Sequence, residues 1–164
     1  MKKLLILLLL PIHFVQAQVS LDTKIAEASR QLTCPAFGVG NPISLNSILV
    51  DAKDSLAIVV KVQLAPGWHI YQYVPSTKPY IPMKLILKLP DGVRAIGPWI
   101  KPRPIASASD PGVLIYLNEM IFIQKIARSS LTKIGSTIQA GLYYQACNLH
   151  QCLPPREKTF DFKI

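Results

Sequence analysis

From Ser44 onward, apolar and polar residues alternate over short stretches or gather into short apolar runs, and turn residues separate them. A period of two with frequent breaks is the pattern of β-strands, not of helices. Ser55 to Leu64 contains Ala57, Ile58, Val59, Val60 and Val62, as expected of a largely buried strand. Ala65-Pro66-Gly67 is a turn signal. Trp68 to Tyr73 alternates large residues, and Pro75, Pro79 and Pro82 mark a loop. Met83 to Leu89 alternates, with Lys84, Ile86 and Lys88 opposite Leu85 and Leu87. After the Pro90-Asp91-Gly92 turn, Val93 to Ile100 reads as a strand interrupted at Gly97-Pro98, and Lys101 to Gly112 as a long loop. Val113 to Ala127 reads as one bent strand or two short ones, Ser136 to Ala146 as a strand ending at Cys147, and Lys158 to Ile164 as the last strand. About eight strands without βαβ alternation predict an all-β fold, an immunoglobulin-like β-sandwich. Asp22 to Leu32 is polar with scattered apolar residues and fits a short helix or an irregular arm.

Composition adds a compartment. The chain has 164 residues, 50% hydrophobic and 16% charged, which suits one folded domain and excludes a disordered one. Lys2 and Lys3, the apolar run Leu4 to Leu10, Pro11 and then Val15-Gln16-Ala17 have the order of a secretory signal. Cleavage is expected after Ala17, so that the mature chain begins at Gln18. The run falls short of the roughly 20 apolar residues a membrane span needs. A lipid anchor is disfavoured because the nearest cysteine, Cys34, lies beyond a charged stretch. The expected organisation is a signal peptide over 1–17, an N-terminal arm over 18–43 and one β domain over 44–164. The product is then exported, soluble and monomeric, in a compartment where disulfides persist. The formal net charge of +9 falls to +7 without Lys2 and Lys3. Its lysines and arginines are spread out, so no nucleic-acid or membrane-surface partner is expected.

Chemistry is concentrated in the cysteines: Cys34, Cys147 and Cys152. Cys147-Asn148-Leu149-His150-Gln151-Cys152 places four residues between two thiols in a loop joining two strands, within reach of a disulfide. Three readings stand open. A disulfide over so short a loop contributes roughly 2 kcal/mol, against ~4.7 kcal/mol for a hundred-residue loop, so it is a weak staple and opens without unfolding the sandwich. Those properties suit an exchangeable disulfide. A structural staple in a non-catalytic binding module is the second reading. A copper-handling site formed by Cys147, His150 and Cys152 is the third, although the spacing matches no common structural zinc pattern. His150 also raises the thiolate fraction of a neighbouring cysteine whenever it is protonated.

Tyr144-Gln145-Ala146-Cys147, followed by Cys152-Leu153-Pro154-Pro155 and Lys158-Thr159, resembles the active-site hairpin of the N-terminal periplasmic domain of DsbD, a thiol:disulfide interchange protein. Pro66-Gly67-Trp68-His69-Ile70-Tyr71, the proline-rich loop with Pro82 and Leu89-Pro90-Asp91-Gly92-Val93 follow in the same order, so the resemblance runs from about Ser44 to Ile164. It implies an immunoglobulin-like sandwich that passes electrons from a membrane-embedded thiol reductase, here a separate protein, to periplasmic thioredoxin-like proteins such as disulfide isomerases and cytochrome c maturation factors. It implies no cofactor and no metal. By the same resemblance Cys152 exchanges with partners and Cys147 resolves. Two aromatic positions beside the disulfide fall on His69 and Tyr71, of which His69 departs from the pattern. A shielding cap falls near Ile115 and Tyr116, with Tyr116 as its aromatic ring. The family's acidic residues beside that cap fall on Val113 and Leu114, and Arg156 stands where an acid often follows the two prolines. Cys34 lies outside the resemblance and is expected to be dispensable.

Overall fold

The computed structural model describes residues 20–52 and 55–164. The leader expected over 1–17 and its cleavage after Ala17 lie outside them. In chain order the elements are α1 (Leu21–Gln31), β1 (Ile43–Ala52), β2 (Ser55–Leu64), β3 (His69–Tyr73), β4 (Lys84–Lys88), β5 (Val93–Ile100), β6 (Ile105–Ala106), β7 (Leu114–Leu117), β8 (Glu119–Arg128), β9 (Thr137–Tyr144), β10 (Ala146–Cys147) and β11 (Arg156–Lys163).

The apolar run of β2 is buried on both faces, and this organises the molecule. β2 is a central strand of a four-stranded antiparallel sheet in the order β1-β2-β8-β5. Its alternate residues Leu56, Ile58, Val60 and Val62 join Leu45, Phe122 and Ile126 in the main core. The same core takes Ile138, Ala140 and Leu142 from β9, the middle strand of a three-stranded sheet in the order β11-β9-β4. The two sheets make an immunoglobulin-like sandwich. Ala57 and Val59 point the other way, under α1. Leu21, Ile25, Ala28 and Leu32 recur at helical spacing and cover this outer face. Ser20 caps the helix, its hydroxyl accepting from the Thr23 N–H at 3.2 Å. The stretch read as helix or arm is therefore a helix, stabilised by its apolar stripe on the sheet.

A third sheet, in the order β10-β3-β7-β6, carries the cysteine hairpin. One face of it (Ile70, Tyr116 and Ala146) packs into the main core. The other face (Tyr71, Ile115 and Cys147), together with Val113, forms a separate small cluster. Val113 to Ala127 resolves into two strands, broken at Asn118, whose φ of 59° is left-handed. β5 runs through Gly97-Pro98, with a register shift between Ile96 and Ile100. The buried Gln124 amide donates to the Ile96 and Gly97 carbonyls left free there, at 3.4 and 3.1 Å.

β9 and β11 lie so close at Gly141 that a Cβ there meets the Lys158 carbonyl. Gly141→Ala is expected to cost about 3 kcal/mol by overpacking, which lowers the thermal midpoint by roughly 10 °C. A calorimetric midpoint unchanged from wild type would contradict this account of the sheet.

Candidate functional site

The strand that begins as β9 changes sheets at Gln145. Up to Tyr144 it pairs with β4 and β11; from Ala146 it pairs with β3. Gln145 belongs to neither ladder. Its side chain accepts from the Ile81 N–H at 3.1 Å and donates to the Leu153 carbonyl at 3.3 Å. One amide thus ties the proline-rich loop and the returning hairpin strand to the crossing point.

Beyond it, Cys147 and Cys152 are joined as a disulfide with their Cα atoms 4.0 Å apart. The hairpin has its own hydrogen bonds. Leu153 N–H donates to the Ala146 carbonyl at 2.9 Å, and Asn148 N–H to the Gln151 carbonyl at 2.9 Å. The Asn148 side-chain oxygen accepts from the His150 and Gln151 N–H groups at 2.8 and 2.9 Å, an Asx turn that shapes the tip. The two sulfurs sit in different surroundings. Cys147 is 0% exposed, packed with Tyr71, Val113 and Ile115. Cys152 is exposed.

Cys152 opens on a cleft of about 490 Å³ lined by His69, Tyr71, Tyr80, Asp110 and His150, among others. His69 stands directly across the ladder from Cys147. Its ring meets Tyr71 edge-on, with centroids 5.0 Å apart. Burial holds the His69 imidazole below its ordinary pKa, against the opposing pull of the Asp110 carboxylate. Tyr71 stacks on Tyr80 at 4.7 Å. Burial, reinforced by Tyr80 and Asp110, pushes its phenol up to about 12. Tyr71 therefore stays a neutral ring over the buried half of the disulfide.

Tyr116, expected beside the disulfide as a shield, is not there. In the β3–β7 register it pairs with Ile70, and both side chains enter the main core. Tyr116 meets Phe122 edge-on at 5.6 Å and donates to the Pro102 carbonyl at 3.1 Å. Its neighbour Ile115 pairs with Tyr71 and takes the cysteine side. Period-two alternation permits only one of the two adjacent residues to face the site. His69, Tyr71, His150 and the cysteine pair are brought together.

Two residues absent from the sequence reading complete the cleft. Tyr80 comes from the proline-rich loop. Asp110 comes from the loop before β7, where its N–H donates to the Ser107 hydroxyl at 3.2 Å. Asp110 binds Lys78 at 3.0 Å and accepts from the Tyr80 hydroxyl at 3.4 Å. The hydrogen bond from Lys78 holds the Asp110 carboxyl below its ordinary value. Lys78, Tyr80 and Asp110 make a clasp joining two loops at the edge of the cleft. The signal for it was a lone acid in a Pro/Ser loop, which by itself looks like any solvated turn.

Cys34 is half-buried, its thiol donating to the Lys61 carbonyl at 3.4 Å, and burial raises its pKa. It therefore lacks thiolate character. Among the described residues no three His, Cys, Asp or Glu side chains are arranged to hold a metal ion, and no helix is long and apolar enough to cross a membrane.

A β-sandwich bearing one exposed and one buried sulfur on a short hairpin defines a class of disulfide-presenting domains. The family model for the N-terminal part of the thiol:disulfide interchange protein DsbD matches residues 44–164, and the chain belongs to that family. Among solved structures, the DsbD N-terminal domain of Neisseria meningitidis in its reduced form is 17% identical, with a TM-score of 0.49, over 83% of this chain and 92% of that one. The N-terminal periplasmic domain of ScsB from Proteus mirabilis is 16% identical, with a TM-score of 0.49, over 80% of this chain and 49% of that one. The complex between the DsbD and PilB N-terminal domains of Neisseria meningitidis contains a match of 18% identity and TM-score 0.43, over 71% of this chain and 80% of that one. No curated protein matches the chain.

Tyr71→Ala is expected to speed reduction of the disulfide by a phosphine severalfold. Tyr116→Ala should instead cost about 3 kcal/mol of stability from the core, with the phosphine rate unchanged under conditions where it remains folded; equal acceleration in both would place Tyr116 at the site after all. The clasp titrates with Asp110. A carboxyl whose pKa is depressed in the fold contributes its stabilisation above its unfolded value, near 3.8, and loses it as pH falls through the lower folded value. Asp110→Asn should therefore raise the phosphine rate over wild type at neutral pH, and the ratio of the two rates should approach one only as pH falls through the depressed folded value of Asp110, which lies under the ordinary carboxylate value. A ratio of one at neutral pH would show that the clasp does not guard the cleft.

Proposed function

We propose that this chain is an exported, periplasmic thiol–disulfide exchange domain. It relays electrons from a membrane-embedded thiol reductase to thioredoxin-like proteins, among them disulfide isomerases and cytochrome c maturation factors. The observation that carries the reading is the unequal exposure of the two sulfurs. An incoming thiolate reaches Cys152 from the cleft, whereas Cys147 is covered by Tyr71, Val113 and Ile115. Membership of the DsbD N-terminal family supports the same chemistry.

In the outgoing half-reaction the Cys152 thiolate attacks a partner disulfide. The partner's S–S bond breaks, its leaving sulfur takes the electron pair, and a mixed disulfide forms. The Cys147 thiolate then attacks the Cys152 sulfur, the mixed disulfide breaks, and the second partner sulfur leaves. The partner gains two electrons and the domain loses two, ending in the disulfide form described above. A dithiol of the membrane reductase restores it by the reverse sequence, attacking Cys152 and expelling Cys147. Both directions use the same exposed sulfur. A purely structural disulfide is less well supported, because Asn148 and the Leu153–Ala146 bond already close the hairpin without it.

Cys147→Ser is expected to accumulate a mixed disulfide at Cys152 with a thioredoxin-like partner, and Cys152→Ser to abolish exchange. Peptide mapping of the trapped complex checks this. A partner linked through Cys147 in the Cys152→Ser variant, at a rate comparable to wild type, would reverse the roles.

A further inference from the structure

Residues 33–42 precede the family match, yet they are tied to the sandwich at successive points. Asn46 donates to the Thr33 carbonyl at 2.7 Å, the Cys34 thiol to Lys61 at 3.4 Å, and Ser44 to the Pro35 carbonyl at 2.7 Å. Ala65 N–H donates to the Pro42 carbonyl at 2.8 Å, and Asn41 N–H closes a turn on Gly38 at 3.0 Å. These anchors hold the segment along β1 and β2 and deliver it to the end of the molecule that carries the hairpin. There Phe37, Gly38 and Pro42 face Trp68, Gln151 and Leu153 across a mostly apolar groove of about 400 Å³. Gln151 also lines the cleft of Cys152. The hairpin is thus a ridge between two depressions, with Leu149 at its tip 84% exposed and Phe37 on the far wall 44% exposed.

We propose that this groove is the second half of the docking face for the exchange partner: a thioredoxin-like protein whose disulfide reacts at Cys152 seats the apolar rim around its own cysteine against Phe37. The inference rests on the exchange reading above. Attack at a disulfide sulfur brings the partner's cysteine onto Cys152, so the surface around that cysteine must lie across the ridge. On one side it meets the polar cleft held by the Lys78–Asp110 clasp. On the other it meets the groove, whose arm-side wall is anchored on either side of Phe37 at Pro35 and Pro42 and closed by the Gly38–Asn41 turn, which limits the ordering cost of apolar contact there. A small disulfide touches only the sulfur and makes no use of the groove. The arm therefore sets which proteins are served, while the hairpin sets the chemistry.

The test compares the reduced full-length chain and its variants with two oxidants, oxidised thioredoxin and hydroxyethyl disulfide. Phe37→Asp is expected to slow exchange with thioredoxin about tenfold or more, to leave the hydroxyethyl disulfide rate within about twofold, and to keep the wild-type melting temperature, since Phe37 is outside the core. Phe37→Leu should retain the thioredoxin rate. Val39→Asp, on the same arm but outside the groove, should leave both rates unchanged. An unchanged thioredoxin rate in Phe37→Asp, equal slowing with both oxidants, or a wild-type chain that reacts with hydroxyethyl disulfide but not with thioredoxin would each overturn the docking face while leaving exchange at Cys152 standing. A wild-type chain that reacts with neither oxidant would remove the exchange reading, and the docking face with it.

Discussion

A single strand has to leave one sheet and enter another immediately before Cys147, and the Gln145 side chain ties that crossing to the segments on either side of it. At the crossing point the backbone has no ladder partner, and unsatisfied polar groups in a half-buried strand are costly. The Gln145 side chain satisfies the Ile81 N–H and the Leu153 carbonyl beside the crossing, and so ties together the two segments that must approach for a site to exist. The Ile81 loop carries Tyr80, and Leu153 is the return of the hairpin. The same side chain at the change of sheet therefore positions the wall of the cleft and the base of the disulfide loop.

The division between the two sulfurs follows from the small sheet's two faces. Ile70, Tyr116 and Ala146 are spent on the core, which leaves Tyr71, Ile115 and Cys147 on the other side under Val113. An acid at the Val113 position would be buried against Cys147 and strongly disfavoured as an anion. Here the carboxylate comes from Asp110, three residues earlier, at the cleft edge where Lys78 neutralises it. The apolar floor and the charged rim are thus separate parts: one excludes water from Cys147, the other links the loops that border the approach to Cys152.

Much of this was legible in the sequence where a single local rule decides. The bounds of β2 follow from an apolar run that ends at the Ala65-Pro66-Gly67 turn, the start of β5 from the Pro90-Asp91-Gly92 turn before it, and the hairpin from its cysteine spacing. What escaped depends on register or on distant partners. Whether Ile115 or Tyr116 faces the site is a one-residue question that alternation alone leaves open, and the β3–β7 pairing decides it. The helix over Leu21–Gln31 gains its stability from a sheet face that its own polar composition does not reveal. Asp110 and Tyr80 are ordinary loop residues until Lys78 and Tyr71 are placed beside them. The two-residue strands β6 and β10 have no pattern of their own; their neighbours define them.

The central claim is that the fold exposes one sulfur of the pair and buries the other. Brief alkylation of the reduced protein with iodoacetamide, followed by peptide mapping, measures this directly. The account predicts rapid labelling at Cys152, with Cys147 unmodified until the protein is denatured. Labelling of Cys147 in the native state at a rate equal to or above that of Cys152 would contradict it.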